Sequence, residues 1–178
     1  FVLTEREWED KLTGFPLRLT DCEICGSKFP AKRAERPTPE RPAYVLYTSG
    51  TTGRPKGVCV TNKNVCHYVR AFHKEFHVAE KDIMLQYSVC SFDIFVEEVF
   101  ASLLNGAALA IPSEEDRADI HALMNFVEKH RVTMISGFPY LLAEMNHLPR
   151  IPASLRLLIS GGDVLREVYV DRLVGQAE

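Results

Sequence analysis

From residue 43 onward the chain alternates short β-favouring apolar runs with longer stretches in which apolar residues recur every three or four positions, about five times over. Ala43–Thr48, Val58–Val60, Ile83–Tyr87, Ala107–Ile111, Val132–Ser136 and Leu155–Ser160 read as strands. Between them lie the stripes of helices. Val65, Val69, Phe72 and Phe76 form the first, with Thr61 placed to cap it. Phe92, Phe95, Val96, Val99, Phe100, Leu103 and Leu104 form the second, stopped by Gly106, and Ile120, Leu123, Met124 and Val127 form the third. Pro139 suits the first turn of a fourth helix, and Leu165, Val168 and Leu173 are expected in a closing one. Connections of helical length are the normal way to join parallel strands. The fold class is therefore α/β, a mainly parallel sheet flanked by helices, with no internal sequence repeat beneath it.

Composition narrows the function classes. Of 178 residues, 46% are hydrophobic and 25% charged, as in a globular chain able to bury a core. A formal net charge of −3 supplies no field for nucleic acid or an anionic membrane, and no apolar run approaches the roughly 20 residues of a membrane span. The charged amino end is unlike a secretory signal, and five scattered cysteines suit reduced thiols, so a cytoplasmic location is expected. Before residue 43 the patterning is weaker. Thr4 to Glu7 has the form of a capping box for a short helix through Leu12, and Trp8 suits a local core anchor. Residues 27–42, with four prolines and seven charges, read as a solvated connection between a leading segment, 1–26, and the α/β unit, 43–178.

The stretch Thr48-Ser49-Gly50-Thr51-Thr52-Gly53-Arg54-Pro55-Lys56-Gly57 gathers four hydroxyls, three glycines and a lysine between two strand-like runs. Glycines let backbone N–H groups approach an anion, hydroxyls donate to its oxygens, and a lysine adds mobile charge, which together suit a polyphosphate. The order differs from the usual P-loop, since Lys56 precedes Gly57 and a strand. From Tyr44 to Gly57 the chain closely resembles the nucleotide-phosphate motif of the adenylate-forming superfamily: acyl-CoA synthetases, luciferases and peptide-synthetase adenylation domains. The resemblance implies that Thr48, Ser49, Gly50, Thr51, Thr52, Gly53 and Lys56 hold the phosphates of ATP while a carboxylate attacks the α-phosphorus.

Asp93 and Glu97 stand four apart beside the apolar stripe of the second helix, so they share a side, and like charges in that register repel. A bound cation relieves that repulsion; a solvated acidic face at a helix start is the plainer alternative. Ser91 to Phe100 resembles the second core motif of amino-acid adenylation domains in nonribosomal peptide synthetases. By that resemblance Asp93 binds the substrate α-ammonium, Phe92 lies beside the nucleotide, and Ile94 and Glu97 line the side-chain pocket. Phe95 departs from the serine common there. Val132–Ser136 with Pro139, and Leu158–Asp163, resemble the later pocket strands and the adenine-side glycine turn. Ser136, Ile159 and Gly161 then face the amino-acid side chain, and Gly162 and Asp163 the adenine; on sequence alone Gly161-Gly162 is also a plain strand-to-helix turn. A pocket floored by Glu97, with Ser136 and small Gly161, invites a long cationic side chain, lysine or ornithine.

Cys22-Glu23-Ile24-Cys25 looks like half a zinc knuckle and His73 and His77 sit one helical turn apart, but the spacing completes no metal site. The remaining histidines suit surface or capping positions. The resemblance implies less than half of an adenylation domain, the N-terminal core, with the adenylating lysine expected beyond Glu178 and no catalytic residue inside the fragment. It also implies ATP with Mg2+ held mostly by residues elsewhere, a carrier-protein domain whose phosphopantetheine thiol receives the amino acid, and room for a small MbtH-like helper protein. An acyl- or aryl-CoA ligase, disfavoured by Asp93, and a non-catalytic nucleotide-binding or interaction module are the alternatives.

Overall fold

A computed structural model describes residues 2–4, 17–19, 38–50 and 53–177. The chain divides into two compact units, Phe1–Pro37 and Thr38–Glu178. In the first, β1 (Val2–Thr4) pairs in parallel with β2 (Leu17–Leu19). Thr4 closes β1, and the helix expected after it, Trp8 and the Cys22–Cys25 pair lie outside the described residues.

The second unit opens with β3 (Pro42–Thr48) and β4 (Lys56–Thr61), an antiparallel hairpin separate from the main sheet. Antiparallel pairing here qualifies the mainly parallel expectation: the connection between these strands is a short loop, and only long crossovers return a strand in parallel. Just before β3 the chain is fastened to the helix after β4. The Asn62 and Lys63 amides donate to the Arg41 and Pro39 carbonyls, and Asn62 Nδ2 donates to that of Thr38.

Four parallel strands form the main sheet: β5 (Ile83–Leu85), β6 (Ala108–Ala110), β7 (Met134–Gly137) and β8 (Leu157–Ser160), in the order β6-β5-β7-β8. Met84 faces Met134, and Ser136 faces Ile159 across β7 and β8. Helices cover both faces. On one, α1 (Asn62–Phe76) and α2 (Asp93–Leu103) enclose Phe72, Met84, Ala101, Met134 and Leu157. On the other, α3 (Ile120–Lys129) and α4 (Pro139–Asn146) pack Leu123, Val127, Leu142 and Met145 on Leu85 and Ile135. Successive residues of a strand point to opposite faces, so Met134 and Ile135 serve different cores. Thr61 caps α1 by accepting from the Asn64 amide while Asn64 returns a bond to the Thr61 amide; Pro139 occupies the first turn of α4.

Two expectations are corrected. No α-helix closes the described chain: Leu165 precedes a single 3-10 turn, Glu167–Tyr169, Val168 lies within it and Leu173 lies in a turn after it. Leu165 and Val168 are exposed and only Leu173 is buried, so no apolar face pays the nucleation cost of a helix. In α2 the deepest face is not the long apolar stripe. Ile94, Glu98, Ala101 and Ser102 are buried, while Phe92, Leu103 and Leu104 are more than half exposed.

At the amino ends of the strands a polar cluster locks the sheet. Asp82 precedes β5, Thr133 precedes β7 and Arg156 precedes β8. Arg156 donates to both Asp82 oxygens at 2.9 and 2.8 Å, and the Ala79 amide and Thr133 hydroxyl complete the carboxylate's shell. The Arg156 guanidinium, opposed by burial, brings the Asp82 carboxyl down to about 2.

Candidate functional site

Ligands of open α/β sheets bind beyond the carboxyl ends of the strands, where the strand order reverses. Here the reversal falls between β5, which leads outward to β6, and β7, which leads outward to β8. The residues expected to carry chemistry from Phe92 to Asp163 sit at or near that edge: Phe92 to Glu97 follow β5, Ser136 is next to last in β7, Ile159 is next to last in β8, and Gly161 to Asp163 follow β8.

Glu97 is the best-anchored of them. The buried Ser136 hydroxyl donates to its Oε1 at 2.5 Å, and the Tyr68 phenol donates to its Oε2. Three elements, α1, α2 and β7, thus meet on one carboxylate. Burial first, and then the bond to Glu97 and the charges of Glu97 and Asp93, push the Tyr68 phenol well above its ordinary value. Tyr44 on β3 is raised as well, by burial and then by Asp93. Asp93 opens α2, where the positive end of the helix dipole favours a carboxylate. Among the described residues neither Asp93 nor Glu97 has a cationic partner.

A second group forms around Phe138, which the sequence reading did not single out. Its ring meets Phe92 edge-on at 6.1 Å. Gly162 lies against the same ring with φ +82°; a Cβ there would fall 2.6 Å from Phe138 and 3.8 Å from Ile94 Cδ1, so only glycine fits. Phe92, Ile94 and Gly162 are thereby brought together. Gly161 donates to the Gly137 carbonyl and has open space where a side chain would stand. Ile159 packs on the α1 and α2 core, beside Ser136 in register. Asp163 is exposed and accepts from the Val164 amide at 2.7 Å.

The glycine- and hydroxyl-rich loop is the turn of the β3–β4 hairpin. Gly53 donates to the Gly50 carbonyl at 2.9 Å with φ +78°, and a Cβ on Gly50 would fall 2.0 Å from the Arg54 carbonyl oxygen. Thr48 Oγ1 reaches the Lys56 carbonyl at 3.5 Å, and Ser49 and Lys56 are exposed. Thr51 and Thr52 lie outside the described residues.

The buried carboxylate of Glu98 was also not singled out. It accepts from the amides of Tyr87 and Ser88, the Ser88 hydroxyl and Gln86 Nε2. Burial raises its carboxyl and these bonds oppose that. Arg117 braces the same segment through the Gln86 and Tyr87 carbonyls. The loop entering α2 is therefore held from both sides. A neighbouring open cleft of about 430 Å3 is lined by Tyr87, Arg117, Phe138, Tyr140 and Glu144 among others. His73 bonds the Val78 carbonyl, and His77, His130 and His147 are helix caps. No three His, Cys, Asp or Glu side chains gather as metal ligands among the described residues, where Cys59, Cys66 and Cys90 are free and exposed. No described helix is long and apolar enough to cross a membrane.

A doubly covered parallel sheet with an acidic helix at its carboxyl edge, preceded in the chain by a hairpin with a glycine-rich loop, matches a known class. Residues 3–177 match the AMP-binding enzyme family, and the chain belongs to it. It is 43% identical over 139 residues to bacitracin synthase 2 of Bacillus licheniformis, covering 76% of this chain and 5% of that protein. It is 32% identical over 172 residues to delta-poly-L-ornithine synthetase of Acinetobacter baumannii, covering 96% and 13%. The fold is similar to the crystal structure of the nonribosomal peptide synthetase FmoA3 (S1046A), with a TM-score of 0.83, 31% identity, and coverage of 99% of this chain and 19% of that one. That protein has also been solved with AMPPNP and with α-methyl-L-serine-AMP. The chain is thus similar to the N-terminal cores of amino-acid adenylation domains, and it spans only a small part of each of these relatives.

Proposed function

We propose that this chain forms the phosphate loop and half of the amino-acid pocket of an adenylation domain that activates a basic amino acid, lysine or ornithine, for transfer to a carrier-protein phosphopantetheine thiol. The observation that carries the reading is the pair of acids on α2, Asp93 and Glu97, at the carboxyl edge, Glu97 with two hydroxyl partners and neither with a described cationic partner. An amino acid with two ammonium groups answers both, one at Asp93 and one at Glu97. The relative from Acinetobacter baumannii, a synthetase of a polymer of L-ornithine, fits the same reading.

In the reaction, an oxygen of the substrate carboxylate attacks the α-phosphorus of ATP. The bond from that phosphorus to the bridging oxygen breaks, and pyrophosphate leaves with the electron pair, giving aminoacyl-AMP. Thr48, Ser49, Gly50, Thr51, Thr52, Gly53 and Lys56 would bind the phosphates. Phe92, Gly162 and Asp163 would approach the adenine, with Phe138 behind them. Ile94, Ser136, Ile159 and Gly161 would border the side chain. Magnesium, when bound, would neutralise phosphate charge; no three His, Cys, Asp or Glu side chains gather to hold it among the described residues. The adenylating lysine and the carrier domain belong to parts of such an enzyme other than this chain, so alone it is expected to be inactive. A cytoplasmic setting, a secondary-metabolite product and an MbtH-like helper accord with the reading.

The test is ATP–pyrophosphate exchange by the full-length protein over a panel of amino acids. Lysine or ornithine is expected to support exchange at least about tenfold above leucine and glutamate, a margin of about 1.4 kcal/mol in transition-state binding. Preference for a small apolar or acidic substrate overturns the basic-side-chain reading.

A further inference from the structure

We infer that Tyr68, on α1, is a positioning residue for substrate selection: with Ser136 it fixes the Glu97 carboxylate so that its remaining lone pairs face a cationic side chain. The inference rests on the proposed basic-substrate reading and adds to it a residue that no part of the sequence reading assigned. A carboxylate has about four acceptor positions on two oxygens. Ser136 takes one on Oε1 and Tyr68 one on Oε2, which leaves the others for a ligand.

The two anchors come from different elements. Ser136 is buried near the end of β7, whereas Tyr68 is half-exposed on α1, its ring packed on Phe72 at 6.0 Å. Glu97 has several rotatable bonds, so a single anchor leaves its head group free to swing; two anchors on different oxygens remove that freedom before substrate arrives. The Tyr68 phenol, pushed upward by burial and by Glu97, stays protonated across the physiological range and acts as a donor rather than as a second anion. Its electrostatic neighbours are acidic or phenolic: Glu97 bonds it, and Asp93 and Tyr44 add to the upward push on its phenol. A cation entering this group meets two carboxylates, one of them fixed by two neutral hydroxyls, and neither has a described cationic partner to compete.

The test compares Tyr68→Phe and Glu97→Gln with the parent in the full-length protein, measuring ATP–pyrophosphate exchange with lysine, ornithine and the neutral isosteres norleucine and norvaline. Phenylalanine keeps the ring on Phe72, so the melting temperature is expected to stay unchanged. Tyr68→Phe is expected to lower kcat/KM for the basic substrates about tenfold, mostly through KM, and to change the neutral isosteres by less than about twofold, as loss of one hydrogen bond to a charged group predicts. An equal fall for basic and neutral substrates, or no fall at all, overturns the inference. If Glu97→Gln erases the basic preference and Tyr68→Phe does not, the substrate reading stands and the role of Tyr68 is refuted. If the parent shows no basic preference, both fall.

Discussion

The two ends of the main sheet treat their acids in opposite ways. At the amino end, Asp82 is 1% exposed and saturated, with a guanidinium on both oxygens, a hydroxyl and an amide. At the carboxyl end, Asp93 is exposed and Glu97 holds two neutral hydroxyls. A buried ion pair of the first kind fixes the sheet, because removing either partner strands the other. Acids of the second kind contribute little to folding, since two negative charges four residues apart on a helix repel. One end holds the fold; the other is the one we propose receives positive charge.

The sharpest way to break this contrast is Asp93→Ala. In the full-length protein we expect ATP–pyrophosphate exchange to fall by about 100-fold, the scale of losing one partner of a desolvated charge pair, with a melting temperature equal to or above the parent's. A large loss of stability instead would make Asp93 structural. Asp82→Asn should do the reverse: about 3 kcal/mol less stability in urea unfolding, with the order of amino-acid preference unchanged. Acid sharpens the same point. The Asp82 carboxyl lies lower in the folded chain, at about 2, than its ordinary 3.8, so its stabilisation is full above 3.8 and is lost as pH falls toward 2. Unfolding followed from pH 5 to 2 should lose about 2 kcal/mol that Asp82→Asn does not lose. The smallest effect is expected at Thr61→Ala, which removes the cap of α1 and should cost about 1 kcal/mol without altering exchange.

Much of this was legible in the sequence because it is local. The stripe Val65, Val69 and Phe72, the Thr61 cap and the Pro139 start depend on residues within a turn or two, and α1 and α4 form where they predict. Asp93 and Glu97 were legible as a pair four apart on one helix. What escaped depends on partners distant in the chain. Tyr68 looks like any residue on the wet side of α1, and its bond to Glu97 spans 29 positions. Phe138 reads as an ordinary residue before a helix proline until Gly162 and Phe92 close on it. Glu98 reads as surface acid, yet the loop of residues 86–88 supplies four donors, so its burial is a tertiary outcome. The closing helix failed for the same reason in reverse: its spacing was helical, but Leu165 and Val168 found nothing to cover them.

The central proposal is that Asp93 and Glu97 bind the two ammonium groups of a basic amino acid. The most direct measurement is a crystal structure of the full-length protein, or its adenylation domain, with a non-hydrolysable lysyl-adenylate analogue. The α-ammonium is predicted at Asp93 and the side-chain ammonium at Glu97, each at about 2.7–2.9 Å from a carboxylate oxygen, with Tyr68 and Ser136 still bonded to Glu97. An analogue bound with its ammonium groups on other residues, and both acids facing water, would contradict the account.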